Sequence, residues 1–583
     1  MFWRPSLKLG GRAASSALPA RSQSLLRAAR RWDLPSPASP GATVLERVLL
    51  ARGLSRSSTD GDSDHDPFLL TDMDVAVQLV GEAIKERARV AVYGDYDADG
   101  VTASALLVRS LRTAGLDPLA YIPNRDSEGY GLNSQALEEL WARGATLVIT
   151  VDCGTTALEV AASRPSGMRL VITDHHLPAV DAQGGEVRLP QVDALINPQR
   201  PGDRYPFSGL AGVGVAYKLV QALESRGLLP PGTAAAGLPL VALGTVADLM
   251  PLVDENRQLV RQGLASWADA APLGLLALAR GAGLEGPITS SDLGFSIGPR
   301  INAAGRMEDA SLALQCCLAD TKGQAETAAL ALEHLNRRRR RSLAEAMELA
   351  RPMVEELPDE TGAIVLGAGA FPAGVVGLVA GRLAEEFQRP AFIYSMAGEE
   401  WKGSARGVAG LNVVEALAAA GPELLRWGGH RGAGGFSLPP DSERAAAFGG
   451  LVDEAVRRQL QGTTPCRVFS VDARVKLSEC NLGVADQLAG LGPFGIGNPR
   501  VTLSAHHCRV VNAQPFGSNG DHLRVVLDDG TGQLEAIAFN RPGLGRHLPM
   551  GRRVDALFEL DASRWRGRER LRLMLRDLRP TRD

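Results

Sequence analysis

The sequence predicts an α/β protein of several domains, with a parallel sheet in the first half of the chain and a β-rich segment at the end. From about residue 70, helical stretches alternate with short β-branched runs, a pattern typical of a parallel sheet that is covered on both faces. A second alternation begins near residue 358. Because 583 residues are too many for one hydrophobic core, we expect two to four domains.

Breaks in these patterns predict the order of the domains. Residues 1–45 are basic and rich in Ser, Pro and Arg, and we expect them to form a disordered extension. An α/β domain follows over 46–322, then a long connecting helix over 323–357 and a second α/β domain over 358–462. In 463–583, short strands separated by turn signals such as SNGD and DDGTG predict a small barrel or sandwich.

Composition excludes several classes of protein. The net charge of −3 means that any contact with nucleic acid must use local basic surfaces. The six cysteines form no CxxC pair, which disfavours a zinc ribbon and suits a reducing compartment. The longest apolar stretch, 237–253, is too short for a membrane span, so we expect no membrane contact and a cytoplasmic location. Residues 1–32 contain no acid, so an organelle transit peptide is the alternative to a disordered basic tail.

Metal-ligand residue types follow three strand-like runs of the first domain. In an open parallel sheet, ligands bind beyond the carboxyl ends of the strands, so we expect these side chains to meet at one edge. An isolated Asp after a strand is usually a helix cap, but three such strand ends together favour a metal site. The candidates are Asp95, Asp97 and Asp99 after VAVYG, Asp152 after LVITV, Asp174, His175 and His176 after LVIT, and Asp248 after a further apolar run.

The donor types predict the metal. Carboxylate and imidazole ligands without thiolate suit Mn²⁺ or Mg²⁺, whereas Zn²⁺ and Fe²⁺ are less favoured. Two ions roughly 3.5–4 Å apart would neutralise the acids, activate a water and stabilise both oxygens of an in-line phosphoryl displacement. Asp152 is the natural bridge between them.

The motifs GDYDADG, VDCGTT and TDHH resemble those of the DHH phosphoesterase superfamily. Seven further motifs follow along the chain: IPNRDSEGYGL, YPFSGLAGVGVAYKL, GTVADLMPL, GPRINAAGRM, KGSARG, GGHRGAGG and GPFGIGNP. They narrow the resemblance to the RecJ family of single-strand-specific 5′→3′ exonucleases within this superfamily, over about residues 45–583. The resemblance implies a two-metal phosphodiesterase with a DHH domain, a DHH-associated domain and an oligonucleotide-binding (OB) barrel. It also implies a monomer that works in DNA repair and recombination with a helicase and single-strand-binding protein.

The resemblance also implies roles for individual residues. Asp95 matches the first acid of its motif, and Asp174 is expected to orient a neighbouring ligand. Tyr93 stands where many phosphoesterase relatives carry a His, which fits the RecJ branch. The positions matching metal ligands are Asp97, Asp99, Asp152, His175, His176 and Asp248. The positions matching a pocket for DNA and its 5′ phosphate are Arg125, Arg300, Arg306, Ser404, Arg406 and His430.

Two basic stretches are further candidates for DNA contact. The arginines of 335–342 spread around a helix, so only some can face one groove. In 562–578, Arg alternates with apolar residues, as expected for a strand with one basic face. Two alternatives to an exonuclease remain open. One is a phosphodiesterase for short oligonucleotides or cyclic dinucleotides, and the other is a non-catalytic replication scaffold of the same fold.

Overall fold

The structure, a computed structural model, divides into two compact units. The first unit comprises residues 62–342 and 493–499, and the second comprises 1–61, 343–492 and 500–583. No helix among the described residues is both long and apolar enough to cross a membrane. The described residues are 30–36, 41–55, 63–124, 128–129, 131–180, 185, 187–358, 360–461, 463, 466–517, 520–541, 543–565 and 568–581.

The first unit is built on five parallel strands, as the alternation of helices and strands predicts. Successive side chains of each strand point to opposite faces, and both faces are covered. Thus Val92 and Ile149 join one buried cluster, whereas Tyr93 and Val148 join another. In spatial order the strands are Leu119–Tyr121, Val90–Gly94, Leu147–Val151, Arg169–Thr173 and Ala194–Ile196.

Helices cover this sheet, and the most deeply buried of them is Ala98–Thr113. It is rich in Ala, Ser and Val and is buried along nearly its whole length, so neighbouring helices approach it closely. The α-helices of the unit are Met73–Glu86, Ala98–Thr113, Ser134–Ala142, Leu158–Ala162, Gly212–Ser225, Thr233–Ala247, Asp254–Ala265, Trp267–Ala270, Leu273–Gly281, Ser290–Asp292, Gly298–Met307 and Ser311–Leu318. Shorter elements are the 3₁₀ turn Pro67–Leu69, the π-helical turn Leu293–Ile297 and the strands Ala179–Val180 and Val187–Arg188.

The predicted connecting helix is present as Lys322–Glu355. Three of its successive arginines are already engaged by protein groups. Arg337 pairs with Glu333, Arg338 pairs with Glu308, and Arg339 donates to Asn336. Two of the five arginines therefore have their charge paired with a glutamate, and a third is held by an amide oxygen.

The segment Pro493–Pro499 belongs to the first unit, although the sequence suggests that it is part of the last domain. Leu252 donates its backbone N–H to the Ile496 carbonyl at 2.6 Å, and the Ser290 hydroxyl donates to the Phe494 carbonyl at 2.7 Å. A Cβ at Gly495 would lie 2.8 Å from Leu252 Cδ1, so a larger residue there would force the Leu252 side chain to shift.

A mixed five-stranded sheet forms the core of the second α/β region, as predicted. The two strands that come first along the chain, Ile364–Ala368 and Ala391–Ser395, pair in parallel, and the other neighbouring pairs are antiparallel. In spatial order the strands are Arg426–His430, Ala433–Leu438, Trp401–Arg406, Ala391–Ser395 and Ile364–Ala368. The helices are Val376–Phe387, Val413–Ala419 and Ser442–Leu460, with 3₁₀ turns at Ala373–Val375 and Gly421–Glu423.

The C-terminal strands close into a five-stranded barrel, which confirms the OB-type prediction. Closure comes from antiparallel pairing of Leu503–Phe516 with Arg553–Trp565, and it removes the free edges of the sheet. The remaining strands are His522–Asp528, Gln533–Ala538 and Arg568–Pro580, with the short strand Ala473–Arg474 added beside the first. Helix Leu482–Ala489 and the 3₁₀ turns Leu477–Glu479 and Leu544–His547 lie between strands along the chain.

In the predicted N-terminal extension, residues 30–33 form a strand that the sequence does not predict. Arg30–Asp33 forms a strand that pairs in parallel with Arg467–Ser470, and helix Val44–Ala51 follows it. Trp32 is buried, and its indole N–H donates to the Asp577 carboxylate at 2.8 Å. An apolar ring with a satisfied N–H holds this strand in place. Residues 1–29 lie outside the described part of the chain.

A buried ion pair fixes helix Gly212–Ser225 in the first unit. The Lys218 side chain is fully buried, and its ammonium lies 2.8 Å from Glu255 and 3.1 Å from Asp64. The Glu255 carboxylate also accepts the Tyr205 hydroxyl at 2.5 Å. Burial and this carboxylate raise the pKa of Tyr205 well above its usual range. Since each charge has a partner, the network tolerates removal from water.

We expect Glu255→Ala to lower the free energy of unfolding by about 3–5 kcal/mol, because Lys218 would lose its one buried carboxylate partner. Arg226→Ala, which removes an exposed pair with Asp74, is the control and is expected to cost less than about 1 kcal/mol. Denaturant unfolding measures both. Equal effects of the two substitutions would contradict a structural role for the buried pair.

Candidate metal centre

Three adjacent parallel strands deliver the predicted residues to one edge of the first sheet. Val90–Gly94, Leu147–Val151 and Arg169–Thr173 pair side by side and end at the same level. Asp95, Asp152 and Asp174 therefore follow neighbouring strands, as the sequence predicts. Asp152 has φ 62°, in the left-handed region, a conformation that costs a non-glycine residue on the order of 1 kcal/mol.

The start of helix Ala98–Thr113 organises two of the acids. Asp97 is its N-cap, and Asp97 Oδ1 accepts the backbone N–H groups of Asp99 at 2.8 Å and Gly100 at 3.1 Å. A Cβ at Gly100 would lie 2.5 Å from the Asp95 carbonyl oxygen. Glycine at this position thus lets the turn fold tightly enough to bring Asp95, Asp97 and Asp99 together.

A second helix begins directly at these carboxylates. The backbone N–H groups of Gly212 and Val213 donate to the two oxygens of Asp99, at 2.6 Å and 2.9 Å. A Cβ at Gly212 would lie 2.6 Å from Asp152 Oδ1. The helix start places partial positive charge against the acids. This role of Gly212 and Val213 is not predicted from the sequence, where its only signal is the glycine-rich motif SGLAGVG.

The two histidines differ in their surroundings. His175 Nε2 lies 3.1 Å from Asp152 Oδ1, 3.7 Å from Asp248 Oδ2 and 3.9 Å from Asp99 Oδ2. Burial and the neighbouring His176 lower the pKa of His175 to about 4. A neutral imidazole in the middle of three carboxylates is suited to metal ligation.

Asp174 holds the other histidine. Its Oδ1 lies 2.8 Å from His176 Nδ1 and also accepts the backbone N–H of His175, while its Oδ2 accepts the N–H of Thr155. Burial lowers the pKa of His176, but the hydrogen bond to Asp174 and the nearby carboxylates outweigh burial and raise it to about 9. The pKa of Asp174 falls below its usual range because these donors outweigh its burial.

Negative charge on the other buried carboxylates of the site is only partly compensated by neighbouring protein groups. Burial and neighbouring acids raise the pKa of Asp95 to about 8 and that of Asp99 to about 7. The same causes raise the pKa values of Asp152 and Asp248 well above the usual range. Among the described residues, Asp95 Oδ1 is a buried oxygen without a hydrogen-bond partner. Such a site is suited to a cation, which would supply the missing positive charge.

Three sets of ligand atoms lie close enough to hold a cation. Within each set the atoms are all within 4.8 Å of one another, and Asp152 and His175 each belong to two sets. Oxygen and imidazole donors without thiolate match Mn²⁺ or Mg²⁺. The sets are Asp95, Asp97 and Asp152; Asp152, His175 and His176; and Asp99, His175 and Asp248.

The residues predicted to bind the 5′ phosphate are distributed between the two units. In the second unit, Arg406 Nη1 donates to Ser404 Oγ at 2.9 Å, and Arg406 and His430 flank Ala433 in adjacent strands. Partial burial and the charge of Arg406 are among the causes that lower the pKa of His430. Ser404, Arg406 and His430 therefore lie at one end of the second sheet.

The arginines predicted for the first unit have different surroundings. Arg300 is buried, with Nε 2.6 Å from the Glu333 carboxylate and Nη1 donating to the Ser296 carbonyl. Arg306 lies in the last turn of helix Gly298–Met307. Arg125 lies outside the described residues. Tyr93 is buried, and its hydroxyl donates to the Gly131 carbonyl.

Three domain families match the sequence in the order of its architecture. The DHH family N-terminal domain matches residues 89–245, the DHHA1 domain matches 361–457, and the RecJ OB domain matches 471–577. All three matches lie within the α/β, α/β and barrel regions described above.

Similar proteins extend this agreement over most of the chain. The single-stranded-DNA-specific exonuclease RecJ of Dickeya dadantii is 36% identical over 88% of this chain and 91% of its own length. The protein of the same name from Escherichia coli is 34% identical over 94% and 97%. The crystal structure of RecJ in complex with Mn²⁺ from Thermus thermophilus has a TM-score of 0.80 and 30% identity, covering 95% of this chain and 80% of that one. The chain belongs to the RecJ family of single-stranded-DNA-specific exonucleases.

Proposed function

We propose that this protein is a metal-dependent exonuclease that degrades single-stranded DNA 5′→3′ to mononucleotides in DNA repair and recombination. The observation that carries the proposal is the convergence of acids and imidazoles into three overlapping ligand sets that share Asp152 and His175. Family membership supplies the substrate class. The raised pKa values of the acids support a site that works with bound cations.

Two Mn²⁺ or Mg²⁺ ions fit this donor set, and relatives of known structure hold these metals. We assign the ligand roles to Asp95, Asp97, Asp99, Asp152, His175, His176 and Asp248, with Asp152 as the bridge. When bound, the ions would activate a water and offset negative charge on the phosphate and its leaving oxygen.

The protein's own groups prepare these ligands. Asp174 Oδ1 lies 2.8 Å from His176 Nδ1 and so fixes the orientation of the imidazole ring. Asp97 Oδ1 caps the helix, which leaves Oδ2 as the available oxygen. The N–H groups of Gly212 and Val213 hold Asp99 in a fixed orientation, so the ligand set is formed before substrate arrives.

Polarity is proposed to come from recognition of the 5′ phosphate by Ser404, Arg406 and His430. Arg406 forms planar bidentate contacts with phosphate oxygens more readily than Lys would. The glycines of this region, such as Gly435 opposite Ser404, allow close approach of the backbone. Arg125, Arg300 and Arg306 stay predictions for the same role, and the ion pair of Arg300 with Glu333 offers it a structural one as well.

The barrel offers an aromatic surface for the strand. Phe516, His522 and Phe539 form a cluster with ring centroids 5.0–6.2 Å apart, and Arg524 lies over the Phe516 ring. Phe539 is half exposed, which leaves a face on which a base can stack.

The basic strand predicted in 562–578 contributes less unpaired positive charge than expected, because Arg572 pairs with Glu535 and Arg576 pairs with Glu559.

The alternatives are not favoured. A non-catalytic scaffold would not need a complete ligand set, and here every expected acid and imidazole is present. A phosphodiesterase for short substrates does not need the C-terminal barrel. A monomeric state, a cytoplasmic location, and cooperation with a helicase and a single-strand-binding protein are further proposals that rest on the family resemblance.

The proposed activity is tested with long single-stranded DNA labelled at either end, in Mn²⁺ and in EDTA. A 5′ label is expected to appear at once in mononucleotides, while a 3′-labelled strand shortens stepwise, and EDTA stops both reactions. Release of the 3′ label first would contradict the polarity. Hydrolysis restricted to short oligonucleotides or cyclic dinucleotides would favour the small-substrate alternative.

Asp152→Ala is expected to lower cleavage by about 10³-fold or more, because metal ions contribute several kcal/mol to phosphoryl transfer. Binding of single-stranded DNA should change little. Asp193→Ala is the control, since Asp193 lies before strand Ala194–Ile196 and pairs with Arg164 away from the ligand sets. Substantial turnover by Asp152→Ala would remove Asp152 from the bridging position.

Arg406→Ala is expected to reduce the preference for a 5′-phosphorylated over a 5′-hydroxyl strand by about 10–100-fold, the equivalent of one or two charge-assisted hydrogen bonds. The two substrates are compared in kcat/KM. Arg458→Ala removes an exposed arginine of the same unit and serves as the control. An unchanged preference in Arg406→Ala would exclude this residue from the 5′ pocket.

A further inference from the structure

We infer that Asn302 is a positioning residue that sets the spacing of the acids in the turn Tyr96–Asp99. This inference rests on the proposed function, because it concerns the same metal centre. The family resemblance implies roles for Arg300 and Arg306 in the motif GPRINAAGRM. It implies none for Asn302, which lies between them. The structure gives it a direct contact with the turn.

The contact is a single hydrogen bond at a critical point of the backbone. Asn302 Oδ1 accepts the N–H of Ala98 at 2.8 Å. Ala98 is the first residue of its helix, so its N–H has no partner within the helix. It also lies between Asp97 and Asp99, and any movement of its peptide plane changes the separation of those two carboxylates.

The helix that carries Asn302 lies close against the turn at a second point. A Cβ at Gly305 would lie 2.7 Å from the Tyr96 carbonyl oxygen and 3.4 Å from Tyr96 Cβ. Residues 302 and 305 are three apart and so share one face of helix Gly298–Met307. The turn therefore rests on this face at both ends, through a hydrogen bond at one end and backbone packing at the other.

The same helix also packs beside the most distant ligand in sequence. A Cβ at Gly298 would lie 3.2 Å from Ala247 Cβ, the residue directly before Asp248. The helix is itself anchored by the Arg300 ion pair with Glu333. One anchored helix thus supports Asp97 and Asp99 on one side and the end of the helix that precedes Asp248 on the other.

Loss of the Asn302 contact should act on metal affinity. Groups that orient metal ligands typically change affinity by about 10–100-fold when they are removed. Because the hydrogen bond of Asn302 goes to the backbone of Ala98 and not to a ligand atom, we expect its effect to come through placement of the turn. A merely structural contribution would instead lower stability without a selective change in binding.

The test is Mn²⁺ binding by the full chain, followed through the electron paramagnetic resonance signal of free Mn²⁺, with thermal unfolding of the metal-free protein measured in parallel. We expect Asn302→Ala to weaken binding about 10–100-fold. Asn302→Asp, which keeps an acceptor oxygen for Ala98, is expected to bind at least as tightly as the unaltered chain. Ser290→Ala, which removes a hydrogen bond to Phe494 elsewhere in the unit, is the control and should leave binding unchanged.

A second variant covers the case in which Asn302→Ala does not fold. Gly305→Ala adds a Cβ that must displace Tyr96, so it should weaken Mn²⁺ binding as well. The inference is overturned if folded Asn302→Ala binds Mn²⁺ as Ser290→Ala does, or, should Asn302→Ala not fold, if Gly305→Ala does so. If the unaltered chain binds no Mn²⁺, the proposed function fails and this inference fails with it.

Discussion

Mutual repulsion among buried carboxylates is the constraint on which the centre of this molecule depends. Asp95, Asp99, Asp152 and Asp248 all have raised pKa values because each is withdrawn from water beside the others. The protein offsets part of this charge with the backbone N–H groups of Gly212 and Val213 and with the imidazole of His176. The rest must come from cations, so the clustering of these acids is itself the argument for metal.

The same constraint explains glycines that have no obvious role in the sequence. Gly100 allows the turn of acids to close, and Gly212 allows a helix start to approach Asp152. Gly244 is a third case, because a Cβ there would lie 2.8 Å from Asp99 Oδ1. A larger residue at any of these positions would separate a carboxylate from the groups that stabilise it. The glycine-rich motifs and the acidic motifs therefore build the same site: the acids supply the ligands, and the glycines let the backbone pack closely around them.

The sequence predicts the features that repeat locally or follow directly from a strand. The parallel sheet, the convergence of Asp95, Asp152 and Asp174 at its edge, and the long helix all leave a periodic or positional signal. Contacts between distant segments leave no such signal. The hydrogen bonds from Gly212 and Val213 to Asp99 are of this kind, as is the inclusion of Pro493–Pro499 in the first unit. The ion pairs of Arg572 and Arg576 depend likewise on strand pairing, which an alternating pattern alone does not specify.

The N-terminal strand Arg30–Asp33 has a consequence for the order in which the chain is completed. Trp32 and its hydrogen-bond partner Asp577 are 545 residues apart in sequence. At roughly 5–20 residues per second, a ribosome needs on the order of a minute to make the intervening chain. The strand is therefore made well before its hydrogen-bond partner, and it can complete its contacts only after that partner has been made. Until strand Arg568–Pro580 has been made, the Trp32 indole N–H lacks its acceptor, so the N-terminal strand cannot be fully satisfied in its final position before the barrel is complete.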